Sequence, residues 1–377
     1  MNAALEYLSL FGEWTRLEWT RLTEEHEDPW LQLKWRGNFS NVQGGQTTME
    51  SYRLHTAQSR PDLWEILKLP THPLNAAWPV FIDQDKYFQH YCSQLDSFKA
   101  FAPMQYAIVE IDTYGGEHII ACGRSVPFFW PELNRVGGKK GLRQHPEVLH
   151  TLPDEGYDGI LSRAFEQQLA REGIVQASNG LRPLPDHART RTEPPNALSA
   201  ISITVSPEYR SKGLADILIL AMKQTAMEQG YDALVVPLRP TRKCEFPLTK
   251  MADYISWPAT AAPNREISKF AKKTDPNLPF DPWLRKHIRL GARVVKVAPR
   301  SMYVEGSVQE WQQWTGVNFT QLIGRKDTPL KQEASSGKMY LEGVFPKGLV
   351  PLRYYVGEER CVYLEPNVWL HHELPIH

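Results

Sequence analysis

Between Leu198 and Gly230 the chain switches from one hydrophobic period to another across a single short turn. Leu198 to Val205 alternates and is rich in β-branched residues, which predicts a strand. Pro207 has no N–H to give to a ladder and ends it. After the turn Arg210-Ser-Lys-Gly-Leu-Ala215, the residues Leu214, Ile217, Leu218, Ala221 and Met222 recur along one helix face. Gly230 stands where a glycine would stop that helix. A strand that feeds a helix through such a turn leaves the first helical amides unpaired at the positive end of the dipole. That is an anion site.

The anion is not bound in either of the common nucleotide-loop patterns. A P-loop needs four residues between its glycines and then Gly-Lys-Ser/Thr, and a Rossmann turn needs G-x-G-x-x-G; both are absent from this turn. The turn reads R-x-x-G-x-A, preceded by V-x-P. This resembles the pyrophosphate loop of the GCN5-related N-acetyltransferase (GNAT) superfamily. The resemblance implies that Arg210, Ser211, Lys212, Gly213, Leu214 and Ala215 hold the pyrophosphate of coenzyme A, and that a strand amide near Val205 faces the thioester. A structural turn without ligand is the competing reading.

The rest of the chain agrees with that frame. Tyr106–Asp112 and His118–Val126 predict a hairpin around Tyr114-Gly-Gly116, and Ala233–Leu238 predicts a further buried strand interrupted at Pro237. In the GNAT fold the strand before the loop and the strand after its helix splay apart, and a proline at such a place leaves no ladder bond unmade. Helices are expected over Tyr157–Glu172 and Trp283–Leu290, a polar loop over 131–156, and a proline-rich connector over 180–196. Five further motifs resemble a bacterial GNAT subgroup: Arg239-Pro-Thr-Arg-Lys-Cys-Glu-Phe-Pro-Leu-Thr-Lys-Met-Ala-Asp-Tyr254, Leu278-Pro-Phe-Asp-Pro-Trp-Leu-Arg285, Ala298-Pro-Arg-Ser-Met302, Glu310-Trp-Gln-Gln-Trp-Thr-Gly316 and Leu364-Glu-Pro-Asn-Val-Trp-Leu-His371. Within the first of them Phe246 stands where that subgroup leads one to expect tyrosine.

The fold class expected is therefore α/β (α+β): a GNAT fold with a mixed central sheet and a splayed strand pair. Residues 1–75 are expected as an N-terminal extension, with Leu5, Leu8, Phe11 and Trp14 as a packing stripe. Residues 76–325 are expected as the acyltransferase core, and 326–377 as a β-rich segment packed on it.

Composition narrows the partners. Forty-three basic residues balance 43 acidic ones, so the charge footprint of a nucleic-acid binder is missing. The four cysteines lie far apart, and His371-His372 lacks a third spaced ligand, so no metal site is expected. With no signal-like start and no apolar run near 18 residues, the expectation is a cytoplasmic protein without a transmembrane segment.

Amide formation from a thioester needs a neutral amine, a proton acceptor and a donor to the oxyanion. In GNAT proteins the departing thiolate is often protonated by a tyrosine four residues before the glycine of a Tyr-x-x-x-Gly-Phe-like turn. Four residues before Gly291 stands His287, which the resemblance makes the first candidate acid, with Tyr254 second and Tyr303 third. Glu110 and Glu305 are candidate bases, and Phe128, Phe129 and Trp130 are candidates to line the acyl or acceptor pocket. The function implied is direct transfer from an acyl-CoA to an amine of a small molecule or peptide, with specialised metabolism as one setting. Acetyl is the default donor, and a longer fatty acyl chain stays open. A non-catalytic acyl-CoA-binding module is the alternative.

Overall fold

The computed structural model describes residues 17–20, 32–35, 52–174, 181–260, 277–319 and 329–375. The stripe expected at Leu5, Leu8, Phe11 and Trp14 lies outside them. In chain order the elements are β1 (Leu17–Thr20), β2 (Gln32–Trp35), β3 (Tyr52–Thr56), α1 (Asp62–Leu67), α2 (Lys86–Tyr91), β4 (Gln105–Ile111) and β5 (Glu117–Phe128). There follow α3 (Pro131–Arg135), α4 (Gly138–Gln144), α5 (Gly156–Arg171), β6 (Ala197–Val205), α6 (Leu214–Glu228), β7 (Ala233–Leu238) and α7 (Met251–Ile255). The chain closes with α8 (Pro282–Arg289), β8 (Ala292–Ser307), α9 (Val308–Thr315), β9 (Lys331–Gln332), β10 (Met339–Gly343), β11 (Leu352–Tyr355) and β12 (Arg360–His372). Helices and a mixed, mostly antiparallel sheet make this an α/β fold.

Two compact units share these elements. One comprises Met1–Asn75, Asp96–Gly123 and Ile203–Leu218; the other comprises Ala76–Leu95, Arg124–Ser202 and Ile219–His377. In the first, β3 pairs antiparallel with β4 from Tyr52↔Glu110 to Thr56↔Tyr106. The β4–β5 turn is held by the Asp112 carboxylate, which accepts the amides of Tyr114 and Gly116, both at 2.8 Å. Leu63, Trp64 and Leu67 of α1 share a buried core with Ala107, Val109 and Cys122, so the helix covers the apolar face of that hairpin.

The second unit is organised by β12. Its later half pairs with β7 from Val368↔Leu238 to His372↔Leu234, while its other edge pairs with β8 almost end to end. Its first residues also pair with β11, which continues to β10 and β9. The buried rings of Phe81, Trp311, Phe345 and Tyr363 meet at centroid distances of 5.1–6.0 Å. Such edge-to-face and tilted contacts add to the area that each ring buries.

The polar loop expected over 131–156 is instead α3, α4 and a short 3-10 turn, with Leu133, Leu142, Val148 and Leu149 buried. The lysines and glycines of Gly137-Gly-Lys-Lys-Gly141 conceal the helix in the sequence. Gly141 is there for close approach: a Cβ would lie 1.6 Å from the Val136 carbonyl oxygen.

α5 buries polar as well as apolar residues. Asp158 on α5 and Asp85, the N-cap of α2, are both 0% exposed, and both accept the Tyr303 amide at 3.1 Å. Two carboxyl groups at this distance from one amide cannot both ionise, so they hold a proton between them. Burial pushes Asp85 up to about 6; burial and then the Asp85 charge push Asp158 well above the carboxylate range. Both folded values lie above the unfolded ones. The folded chain therefore binds more protons than the unfolded chain from about pH 4 upward. The contribution of the pair is complete below that pH and is lost as pH rises through 6 and beyond. Asp158→Asn makes the proton permanent. Urea unfolding between pH 4 and 7 should show the wild type losing on the order of 1–3 kcal/mol relative to Asp158→Asn. Parallel pH dependences would remove the shared proton.

Candidate active site

In the first unit β6 ends at Val205, and a 3-10 turn over Pro207–Tyr209 leads to an extended Arg210. Ser211 (φ 65°) and Gly213 (φ 81°) are both left-handed, and α6 starts at Leu214. Gly213 takes that conformation without strain, while Ser211 holds it at a cost in backbone energy, a feature found at ligand-holding turns. The amides of Asp216 and Ile217 reach the Gly213 carbonyl at 2.9 and 3.2 Å. Those of Ser211, Gly213, Leu214 and Ala215 donate to no backbone carbonyl outside the helix among the described residues. The loop predicted for a pyrophosphate thus has amides to spare. The Lys212 ammonium lies 4.6 Å from the Tyr209 ring centroid, and the Tyr209 hydroxyl donates to Glu110. Glu110, a candidate base, is engaged there.

The second unit contains a strand fork. β6 and β7 pair in parallel at Ala197↔Ala233, Leu198↔Leu234 and Ser199↔Val235, and the pairing stops there although β7 runs on to Leu238. Pro237 stands two residues past the last pair, where β6 offers no acceptor. At the apex the Ser199 hydroxyl is 0% exposed and has no partner among the described residues. An orphaned buried hydroxyl is costly unless something else meets it.

His287 lies 1% exposed on α8, with Nδ1 2.9 Å from Nε2 of His372. Burial, and then the Lys286 charge, pushes it down to about 3, so the imidazole is neutral. His372 pairs with Leu234 on β7, which places this histidine pair at the closed end of the fork. Tyr254 is 1% exposed and donates to Asp281 at 2.8 Å; burial, then the Asp281 charge, holds its phenol far above the usual range. Asp281 also caps α8 through the amides of Trp283 and Leu284 and accepts the Arg242 amide. Phe246, in the place of the expected tyrosine, packs 5.0 Å from the Trp257 ring. Tyr303 donates to Glu305 and carries the Arg182 guanidinium 4.5 Å above its ring.

Phe128, Phe129 and Trp130 are buried in the second unit. The Gln167 side chain bonds both the amide and the carbonyl of Phe129, at 2.8 and 3.0 Å. The Trp130 indole donates to Thr151 at 2.9 Å. These rings are fixed in packing.

One network escapes sequence reading. Glu365 on β12 is 0% exposed and accepts Nε of Arg239, the residue after β7, at 2.9 and 3.1 Å. It also accepts the Tyr363 hydroxyl at 2.6 Å and the Asn367 amide at 3.1 Å. This cluster ties down the open end of the fork.

No protein-family model matches the chain. An arginine N-acetyltransferase, avaD, from Aspergillus versicolor is 35% identical over 328 residues, covering 86% of this chain and 94% of the relative. The chain belongs to the GCN5-related N-acetyltransferase superfamily and is an acyltransferase. That relative is fungal, whereas the sequence resemblance pointed to a bacterial subgroup. Among solved structures, the loading GNATL domain of CurA from Lyngbya majuscula aligns over 85% of this chain and 97% of its own, at 13% identity and a TM-score of 0.40. A Drosophila melanogaster polyamine N acetyltransferase aligns over 86% and 99%, at 11% identity and a TM-score of 0.32. No helix among the described residues is long and apolar enough to cross a membrane.

Proposed function

We propose that this chain transfers an acetyl group from acetyl-CoA to the amine of an arginine-like acceptor, by direct attack in a ternary complex. The loop from Arg210 to Ala215 carries this reading: its left-handed Ser211 and Gly213 and its spare amides suit a pyrophosphate. Within the second unit the orphaned Ser199 hydroxyl at the β6–β7 fork offers a hydrogen bond to a polar ligand group. The acceptor class follows the arginine N-acetyltransferase relative.

In the reaction the neutral amine nitrogen attacks the thioester carbonyl, the N–C bond forms and the C–S bond breaks. A strand amide near Val205 receives the developing oxyanion. The proton that the amine sheds reaches the thiolate through water. His287 and Tyr254, the acids expected from the sequence, are neutral and engaged by His372 and Asp281. Their role in this proposal is to seat α8 against the sheet. His287→Ala should then reduce stability by about 2 kcal/mol and leave kcat and its pH profile within about threefold in the folded fraction. A hundredfold fall in kcat with loss of the alkaline limb would return the acid role to His287.

The reading is tested by following thiol release from acetyl-CoA with arginine, agmatine and lysine, and identifying the product by mass spectrometry. Binding without thiol release would make the chain a coenzyme A-binding module. Because Phe128, Phe129 and Trp130 are packed, affinity should not climb with donor length by about 0.8 kcal/mol per methylene. Calorimetry with acetyl-CoA and decanoyl-CoA checks this, and much tighter decanoyl binding would reopen the longer donor.

A further inference from the structure

We propose that a cleft at the closed end of the β6–β7 fork binds a small oxyanion, a phosphate or carboxylate group, through Lys139, Arg293 and the ring of His371. The site lies within the second unit, and the proposal does not rest on the function proposed above. The cleft is small and partly open to solvent, and it is lined by Lys139, Arg143, Asp232, Arg293, His371 and Glu373 among others. His371 and Arg293 face each other in the β12–β8 ladder, and His371 faces Val235 of β7 on its other side.

Three observations select the ligand. First, His371 is 2% exposed, and both of its ring nitrogens lack a partner among the described residues. A buried imidazole with nothing to bond costs about 1–3 kcal/mol, which a bound ligand would relieve. Second, the acids of the cleft have partners within it, and the Glu373 charge is met by Arg143. The Asp232 carboxylate accepts the Lys139 amide at 3.1 Å. Third, the half-buried Lys139 and the exposed Arg293 both line the cleft, and neither is in an ion pair among the described residues. Two unpaired cations exclude a metal ion. A single water would meet the imidazole but would not use the positive charge that Lys139 and Arg293 place at the cleft. An oxyanion does both, taking one N–H from the neutral ring and charge-assisted bonds from Lys139 and Arg293. Burial and the Arg293 and Lys223 charges keep His371 neutral in the absence of such an anion.

The test uses the full chain at fixed pH and ionic strength, titrated in parallel with inorganic phosphate, acetate and sodium chloride. The His371 ring signals in ¹H–¹⁵N spectra and the thermal midpoint should both shift and saturate with an oxyanion. Saturation with phosphate alone, or with acetate as well, supports the site and shows which geometry it reads. Lys139→Ala and Arg293→Ala should each weaken the binding by about tenfold or more. His371→Phe should remove the response if that variant folds, and the wild-type ring signals decide the question if it does not. Shifts matched by sodium chloride, or full affinity retained in both cation variants, overturn the site.

Discussion

Gly213→Glu is expected to lower affinity for acetyl-CoA more than a hundredfold while the protein stays folded. The substitution acts on charge and space together. The new carboxylate stands at the amino end of α6, where the loop amides would otherwise meet pyrophosphate, and repels it. Its side chain also fills the approach that a glycine leaves open. The fold survives because the net cost is small beside the stability of a domain. An L-residue at φ 81° costs about 1–2 kcal/mol, and a carboxylate beside a helix amino terminus returns about 0.3–1 kcal/mol. Gly213→Ala separates the two effects, since it carries the same backbone cost without the charge. Calorimetry should place its affinity between those of the wild type and the glutamate variant. Unchanged affinity in a folded Gly213→Glu variant would reject the loop as the binding site.

That loop was legible because everything that forms it is local. A strand, a proline, a glycine and a helical stripe lie within about thirty residues, and each reports its own conformation. The same locality should have revealed α9, where Ser307 and Glu310 form a reciprocal capping box at the helix start. α3 and α4 were hidden because five and seven residues are too few for periodicity to show, and glycine argues against helix on propensity. The candidate acids and pocket rings have partners that lie far away in the chain. Counting back from Gly291 found the right helix for His287 but not what that face meets, since His372 lies 85 residues further on. An apolar triplet such as Phe128-Phe-Trp130 looks the same whether it lines a pocket or fills a core. In the fold all three are buried, and the Phe129 backbone is bonded by Gln167, 38 residues further on.

A link of this long-range kind predicts the second large effect. Arg239 and Glu365 are 126 residues apart, and the carboxylate is fully buried. Arg239→Ala should destabilise the protein by about 3–5 kcal/mol, because it leaves that buried charge without its cation. The Tyr363 hydroxyl and the Asn367 amide would remain as donors, but neither carries a positive charge. Part of the loss also comes from the Lys347 carbonyl, which accepts the Arg239 guanidinium at 2.8 Å. Adding Glu365→Gln to Arg239→Ala removes the orphaned charge and should recover more than half of the loss, since a neutral amide can still accept from Tyr363. The cycle formed by the two single variants and the double variant isolates the pair from the Lys347 contact. Arg239 follows directly on β7, and Glu365 lies three residues before Val368, the residue that pairs with Leu238. The pair therefore anchors the open end of the fork, and acyl transfer by the double variant should stay below the wild type even where stability returns. A loss of less than about 1 kcal/mol for Arg239→Ala in urea unfolding, the range of an exposed pair, would mean that Glu365 holds no buried charge and that the fork is anchored elsewhere.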